Sequence, residues 1–300
     1  MRRIRYEAGR ISLIGDRPLN QDRSTLIESK ESILMALADG MGGHPRGEAA
    51  AQILIDICEN AFSKARKPIS EPDKFLSRIL YKAHSDIIAF GSKQSPPIKP
   101  RTTAVIALIQ ENRVYFAHCG DSRFYLFRDG RALTRTLDHS YVELLHQQGS
   151  ITAAACEKHP YRNYVTRCLG GKKDSIEVAT GTPIMLQPND TLLLCSDGLW
   201  GALSDDLLGA ALSTPAPLES ALAKLAHTAT SAAHPESDNV TAVAIHWIEG
   251  ATTGLKKEPS SGKSATSSPS EGDDNELTQA INDLQALIDI YDTNPDQEKK

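Results

Sequence analysis

The stretch that decides the fold is Thr102–Phe127, which reads TTAVIALIQENRVYFAHCGDSRFYLF. Its apolar runs are short and rich in β-branched and aromatic residues, a pattern typical of strands. The predicted strands are Thr102–Ile109, Val114–Cys119 and Phe124–Phe127. Only the turn-like pairs Glu111-Asn112 and Gly120-Asp121 separate them. A parallel pair needs a crossover of about a dozen residues or more, so we expect antiparallel hairpins here.

Further strands and helices are predicted on both sides of this stretch. The other strand-like segments are Arg10–Gly15, Ile33–Ala38, Thr191–Cys195 and Val240–Trp247. The helical patterns are Glu48–Ala65, Pro72–Phe90, Asp205–Leu212 and Leu218–Ala233. Strands and helices arrive in runs rather than in strict alternation, which favours an α+β fold with antiparallel sheets.

Length and composition are those of a globular protein. The chain has 300 residues, of which 40% are hydrophobic and 24% are charged, enough for a full core. The net charge is −5, but residues 271–300 contain nine acidic and two basic side chains and carry −7 by themselves. The remaining residues carry only +2. This near-neutral body argues against general nucleic-acid binding, which needs a strongly basic surface.

The cysteines indicate a reducing compartment. The five of them form no Cys-x-x-Cys pair, and an odd number suits neither a disulfide framework nor a zinc cage. No run of about 18 apolar residues predicts a membrane span, and Met1-Arg2-Arg3-Ile4 does not read as the start of a signal peptide. We therefore expect a cytoplasmic protein without a membrane partner.

The pattern of strands and helices stops near Gly250. Residues 251–275 are dominated by Ser, Gly, Thr, Lys and Pro, which predicts a flexible linker. In the acidic tail at 276–300, apolar residues recur with helical spacing and predict a short amphipathic helix. These residues are Leu277, Ile281, Leu284, Ile288 and Tyr291. An isolated helix of this length is marginal in water, so it either docks on its own domain or binds a partner.

Short acidic motifs carry the chemistry. They are Asn20-Gln21-Asp22, Asp39-Gly40-Met41-Gly42-Gly43-His44, Gly120-Asp121-Ser122-Arg123, Ser196-Asp197-Gly198 and Ser237-Asp238-Asn239. Each alone is more typical of a turn. Together, and with almost no His or Cys nearby, they indicate a site for Mg²⁺ or Mn²⁺ rather than zinc. Glycine at position 40 lets the backbone approach an ion, so that its carbonyl can serve as a ligand.

A pair of such ions suits chemistry at phosphorus. Two ions can activate a bridging water and hold the attacking and leaving oxygens of a displacement. Arg17, five residues before Asp22, can present a bidentate fork to a phosphate. By spacing alone, Arg17 also fits an ordinary solvated surface charge.

Longer motifs resemble those of a known family. They include Arg17-x-x-Asn20-Gln21-Asp22, Ala38-Asp39-Gly40-Met41-Gly42-Gly43-His44, Gly47-Glu48-Ala49, Thr102-Thr103, His118-Cys119-Gly120-Asp121-Ser122-Arg123 and Asp138-His139-Ser140. The motifs continue with His159-Pro160-x-Arg162-Asn163-x-x-Thr166-Arg167-x-Leu169-Gly170, Ser196-Asp197-Gly198-Leu199-Trp200 and Ser237-Asp238-Asn239-Val240-Thr241. In order and spacing, from about Arg10 to Trp247, the chain resembles bacterial metal-dependent protein phosphatases of type 2C, the PPM family.

The resemblance implies a fold and an activity. Residues 1–250 would form a catalytic domain, an α+β four-layer α-β-β-α sandwich of two antiparallel sheets flanked by helix pairs. The reaction would be hydrolysis of phosphoserine and phosphothreonine in proteins, reversing a bacterial Ser/Thr kinase. A water that bridges two Mn²⁺ or Mg²⁺ ions would attack phosphorus directly, without a phosphoenzyme.

The resemblance also implies a ligand set. Asp39 would bridge both ions, and the Gly40 carbonyl would bind one of them. Asp197 and Asp238 would complete the shell of that ion. Asp22 would lie beside the second ion, partly through water.

Other positions receive roles from the same resemblance. Asp121 matches the aspartate of a third, weaker ion, and Arg17 matches the phosphate-binding arginine. Residues Ser140–Gly170 correspond to a mobile segment beside the cleft, which we call the flap. His44 is a candidate general acid, although the acid proposed for the family follows a differently spaced motif. His139 is expected to anchor a loop.

Two positions depart from the family pattern, and two other function classes stay open. Gln21 replaces an acidic residue of many relatives, and Arg101 replaces a glycine before the Thr-Thr pair. A regulatory binding module is one alternative, although degenerate relatives usually lose metal aspartates that this chain keeps. A metal-dependent nuclease is the other, and the near-neutral body argues against it.

Overall fold

The computed structural model describes residues 5–171 and 176–249, all within the first of two units of the chain, Met1–Thr253. The predicted linker and tail helix lie outside the described residues. The strands are β1 (Arg5–Leu13), β2 (Arg23–Glu28), β3 (Ser32–Ala38), β4 (Ala104–Gln110), β5 (Arg113–Cys119), β6 (Arg123–Arg128), β7 (Arg131–Arg135), β8 (Ala179–Thr180), β9 (Ile184–Met185), β10 (Thr191–Cys195) and β11 (Val240–Glu249). The helices are α1 (Gly47–Lys64), α2 (Pro72–Ser92), α3 (Tyr141–Gln147), α4 (Ala153–Cys156), α5 (Asp197–Trp200), α6 (Asp205–Leu212) and α7 (Leu218–Ala233).

The strands form two antiparallel sheets. The first sheet has the order β1-β11-β10-β6-β7, and the second has the order β2-β3-β4-β5-β8, with β9 also paired to β5. All of the described strand pairings are antiparallel. None of the helices within residues 5–171 and 176–249 is long and apolar enough to cross a membrane.

Alternation along the strands separates three apolar cores. On β3, Leu34 and Ala36 pack with helices α1 and α2, whereas Ile33 and Met35 pack between the two sheets. On β10, Leu192 and Leu194 enter the core between the sheets, whereas Leu193 and Cys195 enter a third core under α6 and α7. Side chains of a strand alternate between its two faces, so these central strands are apolar throughout. The expected four-layer α-β-β-α sandwich is confirmed.

The first predicted hairpin of Thr102–Phe127 is confirmed. Strands β4 and β5 pair antiparallel, with Gln110 opposite Arg113. Glu111 and Asn112 between them both adopt positive φ, at 50° and 59°. Two successive positive φ values make a two-residue turn whose twist matches that of the strands.

The second predicted hairpin is wrong. Strand β6 does not pair with β5 but with β10 and β7 of the facing sheet. The chain crosses between the sheets at Gly120, which has a φ of 115°. A Cβ added at Gly120 would lie only 2.7 Å from the Thr103 side chain. Phe116 and Phe124 then stack across the core between the sheets, with 4.2 Å between ring centroids. Apolar runs and a Gly-Asp break are common to a hairpin and to such a corner, so the sequence alone did not separate them.

Candidate metal centre

The five motif aspartates lie at one end of the two sheets. Asp39 follows β3 and Asp22 precedes β2, and the register pairs Arg23 with Ala38 beside them. Asp197 follows β10 and Asp238 precedes β11, where Cys195 pairs with Ala242. Antiparallel pairing therefore brings residues far apart in sequence to the same edge. Asp121 lies at the crossing between β5 and β6.

A polar link joins the sheets beside this edge. The Ser196 hydroxyl donates to Asp22 Oδ2 at 2.8 Å and accepts from the Thr241 backbone N–H at 3.0 Å. All three residues are buried. Ser196 stands in the Ser196-Asp197-Gly198 motif, but no role was predicted for it. It ties the second sheet, through Asp22, to strands β10 and β11 of the first.

Threonine hydroxyls fix the backbone of Asp39. The Thr103 hydroxyl accepts from the Asp39 N–H at 3.1 Å, and the Thr102 hydroxyl donates to the Asp39 carbonyl at 2.8 Å. Thr103 also shares a 2.6 Å hydrogen bond with the Ser122 hydroxyl, next to Asp121. The Thr-Thr pair thus sets the backbone of Asp39 and connects it to the Asp121 corner.

Glycine at position 40 is required by close packing. A Cβ there would lie 2.5 Å from the Gly47 backbone and 2.8 Å from the Gln21 carbonyl. The Gly40 N–H donates to this Gln21 carbonyl at 3.3 Å. The loop after β3, the start of α1 and the Gln21 backbone are therefore in direct contact, which is the close approach that glycine permits.

Burial and mutual repulsion raise the pKa values of four of these carboxyl groups. Burial raises the pKa of Asp39 well above its usual range, and the charges of the four other aspartates raise it further. The same two causes raise the pKa of Asp22 to about 7 and that of Asp197 to about 6. The pKa of Asp121 is also well above its usual range because of burial and the charge of Asp197. Shifts of this size from both causes are typical of functional sites.

Two carboxylate oxygens in the cluster have no hydrogen-bond partner. Asp22 Oδ1 and Asp197 Oδ1 are buried and unpaired within the described ranges. A buried acceptor without a donor is expensive to keep, and a buried charge even more so. Among residues 5–171 and 176–249, no group of three or more His, Cys, Asp or Glu already has the arrangement of a coordination shell. Carboxylate oxygens that no donor satisfies are the type of ligand that hard divalent cations take.

Arg17 lies at the open side of the cluster. Its Nη2 donates to Asp238 Oδ2 at 2.8 Å, and 52% of the Arg17 side chain is exposed. A guanidinium has five N–H donors, so this one bond leaves most of them for a second anion. The structure therefore brings the predicted phosphate-binding arginine to the aspartates.

A buried network holds the Asp121 corner. The Trp200 indole N–H donates to the Asp121 carbonyl at 2.9 Å. The Arg123 guanidinium stacks 3.6 Å from the centroid of the Trp200 ring and binds both Asp138 oxygens, at 2.8 and 2.7 Å. Arg123 also donates to the Tyr125 hydroxyl at 2.8 Å. Trp200, Asp121, Arg123 and Asp138 all stand in the motifs, but their contacts were not predicted from sequence.

The two motif histidines differ in their surroundings. Burial and the charge of Arg101 lower the pKa of His44, so its ring is mainly neutral at pH 7. The His139 ring accepts a hydrogen bond at Nδ1 from the Gly120 N–H. The His139 backbone N–H donates to the Gly120 carbonyl. Its carbonyl accepts from the Thr166 N–H in the flap at 2.8 Å. The expected loop-anchoring position of His139 is confirmed.

Comparison with known proteins identifies the family. The family model described as Protein phosphatase 2C matches residues 12–240. The serine/threonine phosphatase Stp of Listeria monocytogenes is 31% identical over 199 residues, 65% of this chain and 76% of that protein. The serine/threonine protein phosphatase PstP of Mycobacterium tuberculosis is 36% identical over 220 residues, 72% of this chain and 40% of that protein.

The same likeness holds in three dimensions. A crystal structure of the catalytic domain of PstP, in complex with two manganese ions, superposes with a TM-score of 0.69 at 30% identity. The match covers 81% of this chain and 99% of that one. The chain belongs to the protein phosphatase 2C family, and the relatives it resembles are bacterial serine/threonine phosphatases.

Proposed function

We propose that this chain hydrolyses phosphoserine and phosphothreonine in proteins with the help of two Mn²⁺ or Mg²⁺ ions. One observation carries the proposal: five aspartates from both sheets converge at one edge, and Asp22 and Asp197 each keep a buried oxygen without a partner. Hard divalent cations prefer oxygen ligands of this kind. The manganese-bound PstP domain supports the same choice of ion.

The proposed ligand roles are those that the family resemblance implies. Asp39, whose pKa is raised by burial and by the charges of all four other aspartates, would hold both ions, and the Gly40 carbonyl beside it would hold one of them. Asp197 and Asp238 would complete the shell of that ion, and Asp22 would lie beside the other. Opposing positive charge removes the repulsion that the carboxylates otherwise exert on one another.

Asp121 is proposed to hold a third, weaker ion. Its carboxyl is buried, and the charge of Asp197 raises its pKa, as expected if the two share a cation. It follows β5 rather than flanking β2 or β3, which supports a separate ion.

Arg17 binds the phosphate of the substrate. It is the exposed cation of the cluster, and its bond to Asp238 orients the guanidinium over the acidic edge. When bound, the ions supply an activated water and neutralise charge that develops on the phosphoryl oxygens. His44 is a weak candidate for the acid that protonates the leaving oxygen, because its lowered pKa keeps it neutral at pH 7.

The substrates are proteins that a cognate Ser/Thr kinase has phosphorylated. Both enzymes act in the cytoplasm, where the five free thiols of this chain remain reduced. Residues 1–250 form the catalytic domain, followed by the linker at 251–275 and the tail at 276–300.

The test is hydrolysis by the purified full-length chain. We expect Mn²⁺-dependent release of phosphate from p-nitrophenyl phosphate and from a phosphothreonine peptide, lost with excess chelator. Asp39→Ala and Asp197→Asn should each lower kcat by about a thousandfold or more, whereas Asp56→Asn, an exposed aspartate on α1, should not.

Two outcomes would contradict the proposal. Full activity in chelator would remove the metal assignment, and full activity of Asp39→Ala would remove the ligand assignment. Cleavage of DNA or RNA under the same conditions, without peptide dephosphorylation, would support the nuclease alternative instead.

A further inference from the structure

A cavity lies outside the aspartate cluster. Its volume is about 520 Å³, within the range of small-molecule sites. It opens between the outer strands of the two sheets, β7 on one side and β8 and β9 on the other, with α3 of the flap beside it. Residues on its wall include Phe116, His118, Arg135, His139, Arg167 and Ile184. We call this cavity the Arg135–Arg167 pocket.

The pocket is positively charged. Two arginines line it, and the one carboxylate among its lining residues, Asp138, is bound through both oxygens by Arg123. The carboxylates that pair with the two arginines do not line the pocket, and these ion pairs are weak. Arg135 Nε lies 3.5 Å from Asp205, and the Glu177 carboxylate that pairs with Arg167 at 2.7 Å is on a side chain 64% exposed. An exposed ion pair of this kind contributes little and exchanges easily.

The lining has unused hydrogen-bonding capacity. Arg135 Nη1 is buried without a partner among the described residues. His118 donates from Nε2 to the Leu137 carbonyl at 2.8 Å, so Nδ1 is an acceptor, and it too is buried and unpaired. One-third of the Arg135 side chain is exposed, so the guanidinium can turn to meet an anion in the pocket. An unmatched guanidinium nitrogen favours an anionic ligand.

Part of the remaining wall is apolar, although threonine hydroxyls also line it. The ring of Phe116 is fixed by its stack with Phe124, and Ile184, Leu137 and Leu144 also line the pocket. His118 and His139 stack on each other at 4.5 Å between ring centroids. A ligand with an apolar body buries more surface here than a bare inorganic ion, which favours an organic anion.

We propose that the Arg135–Arg167 pocket binds a small organic anion, a carboxylate or phosphate monoester with an apolar body. Its anionic group pairs with the two arginines, and its body packs against Phe116 and Ile184. The pocket shares His139 with the anchor of the Gly120 corner, so the ligand lies next to the loop that carries Asp121. This site is separate from the phosphate position assigned to Arg17.

Calorimetric titration of the full-length protein in chelator tests the proposal. The probes are benzoate for a carboxylate and phenylphosphonate for a phosphate monoester, and the stronger of the two assigns the anionic group. Arg135→Gln and Arg167→Gln should each weaken binding by about tenfold. Arg131→Gln, an exposed arginine on the same strand β7, and Arg17→Gln should leave it unchanged.

Two controls test whether weaker binding reflects a lost charge or a damaged fold. Arg167→Lys keeps the charge and should lose about threefold or less, which separates a lost charge from a damaged fold. Neutral benzamide should not compete. The proposal is overturned if neither probe binds, if benzamide binds as tightly as benzoate, or if both glutamine variants bind like the unchanged protein. Loss of phenylphosphonate binding in Arg17→Gln alone would place that probe at the acidic edge and also overturn it.

Discussion

Asp39 is a partly buried carboxyl that carries the repulsion of four other aspartates. Its folded-state pKa, like the values of about 7 for Asp22 and about 6 for Asp197, is above the value of 3.8 for an unfolded chain. The unfolded chain therefore releases these protons at lower pH than the folded protein does. Without metal, the fold must lose stability as pH rises from about 4 to about 7.

Replacing Asp39 should remove activity but raise the stability of the metal-free protein at high pH. In chelator, we expect the melting temperature to fall between about pH 5 and pH 8, and Asp39→Asn to flatten this fall. At about pH 8 the variant should be more stable by on the order of 1–3 kcal/mol, or several degrees, because one buried charge is gone. Melting curves at both pH values measure this. An unchanged slope in Asp39→Asn, with Asp56→Asn as reference, would contradict the assigned repulsion.

The glycines after Asp39 offer a matched pair of substitutions. A Cβ at Gly40 would meet the Gly47 backbone at 2.5 Å, whereas a Cβ at Gly42 would meet nothing within 4 Å. Gly40→Ala should therefore destabilise the protein by about 1–3 kcal/mol, and Gly42→Ala should change it by less than about 0.5 kcal/mol. Urea denaturation of both variants measures the difference. Equal stability of the two would show that the Gly40 contact yields easily.

Among the structural elements, the short helix α5 controls the corner between β5 and β6. Its Trp200 donates to the Asp121 carbonyl and stacks under Arg123. Trp200→Phe keeps a ring for the stack and removes one hydrogen bond worth about 1 kcal/mol. The Mn²⁺ concentration for half-maximal activity should rise about three- to tenfold, with a smaller change in kcat.

The matched control for this element is Tyr125→Phe. It removes a buried hydroxyl bonded to Arg123 and Asp205 but leaves the bond from Trp200 to Asp121. Its Mn²⁺ requirement should not change. Direct Mn²⁺ binding, followed by electron paramagnetic resonance, should weaken in Trp200→Phe alone, and equal weakening in both variants would indicate a general loss of packing.

How far sequence predicted these elements depends on how local their signals are. Helix α1, predicted at Glu48–Ala65, forms at Gly47–Lys64, because its apolar spacing is a local property. Strands β2 and β7 were missed, since both mix charged with apolar residues and lie at sheet edges. The crossing at Gly120 was also missed, because the choice between a hairpin and a corner depends on the facing sheet.

At the scale of the whole molecule, the motif aspartates could be named from sequence, but their convergence could not be measured. Asp22 and Ser196 are 174 positions apart, yet they share a 2.8 Å hydrogen bond. Such contacts result from the packing of two sheets, which no local pattern records. The Arg135–Arg167 pocket likewise joins residues of β5, β7 and the flap, and the motifs that contain some of them did not indicate a cavity.

The same long-range architecture predicts what the segment after Gly250 contributes. All side chains proposed for the metal centre lie between Arg17 and Asp238. Strand β11 ends at Glu249, which pairs with Arg5 of β1. Deleting residues 250–300 therefore leaves the sheets and the site complete. We expect kcat for p-nitrophenyl phosphate to stay within about twofold and the melting temperature within about 2 °C.

A longer deletion is the control for this truncation. Removing residues 246–300 also takes away Trp247, which is 2% exposed in the core between the sheets. Loss of such a side chain destabilises by about 3–5 kcal/mol, so this version should melt at a much lower temperature. If the shorter deletion also melts much lower, the tail stabilises the domain directly. If only its KM for a phosphoprotein rises, the tail acts in substrate docking, because the catalytic edge is complete without it.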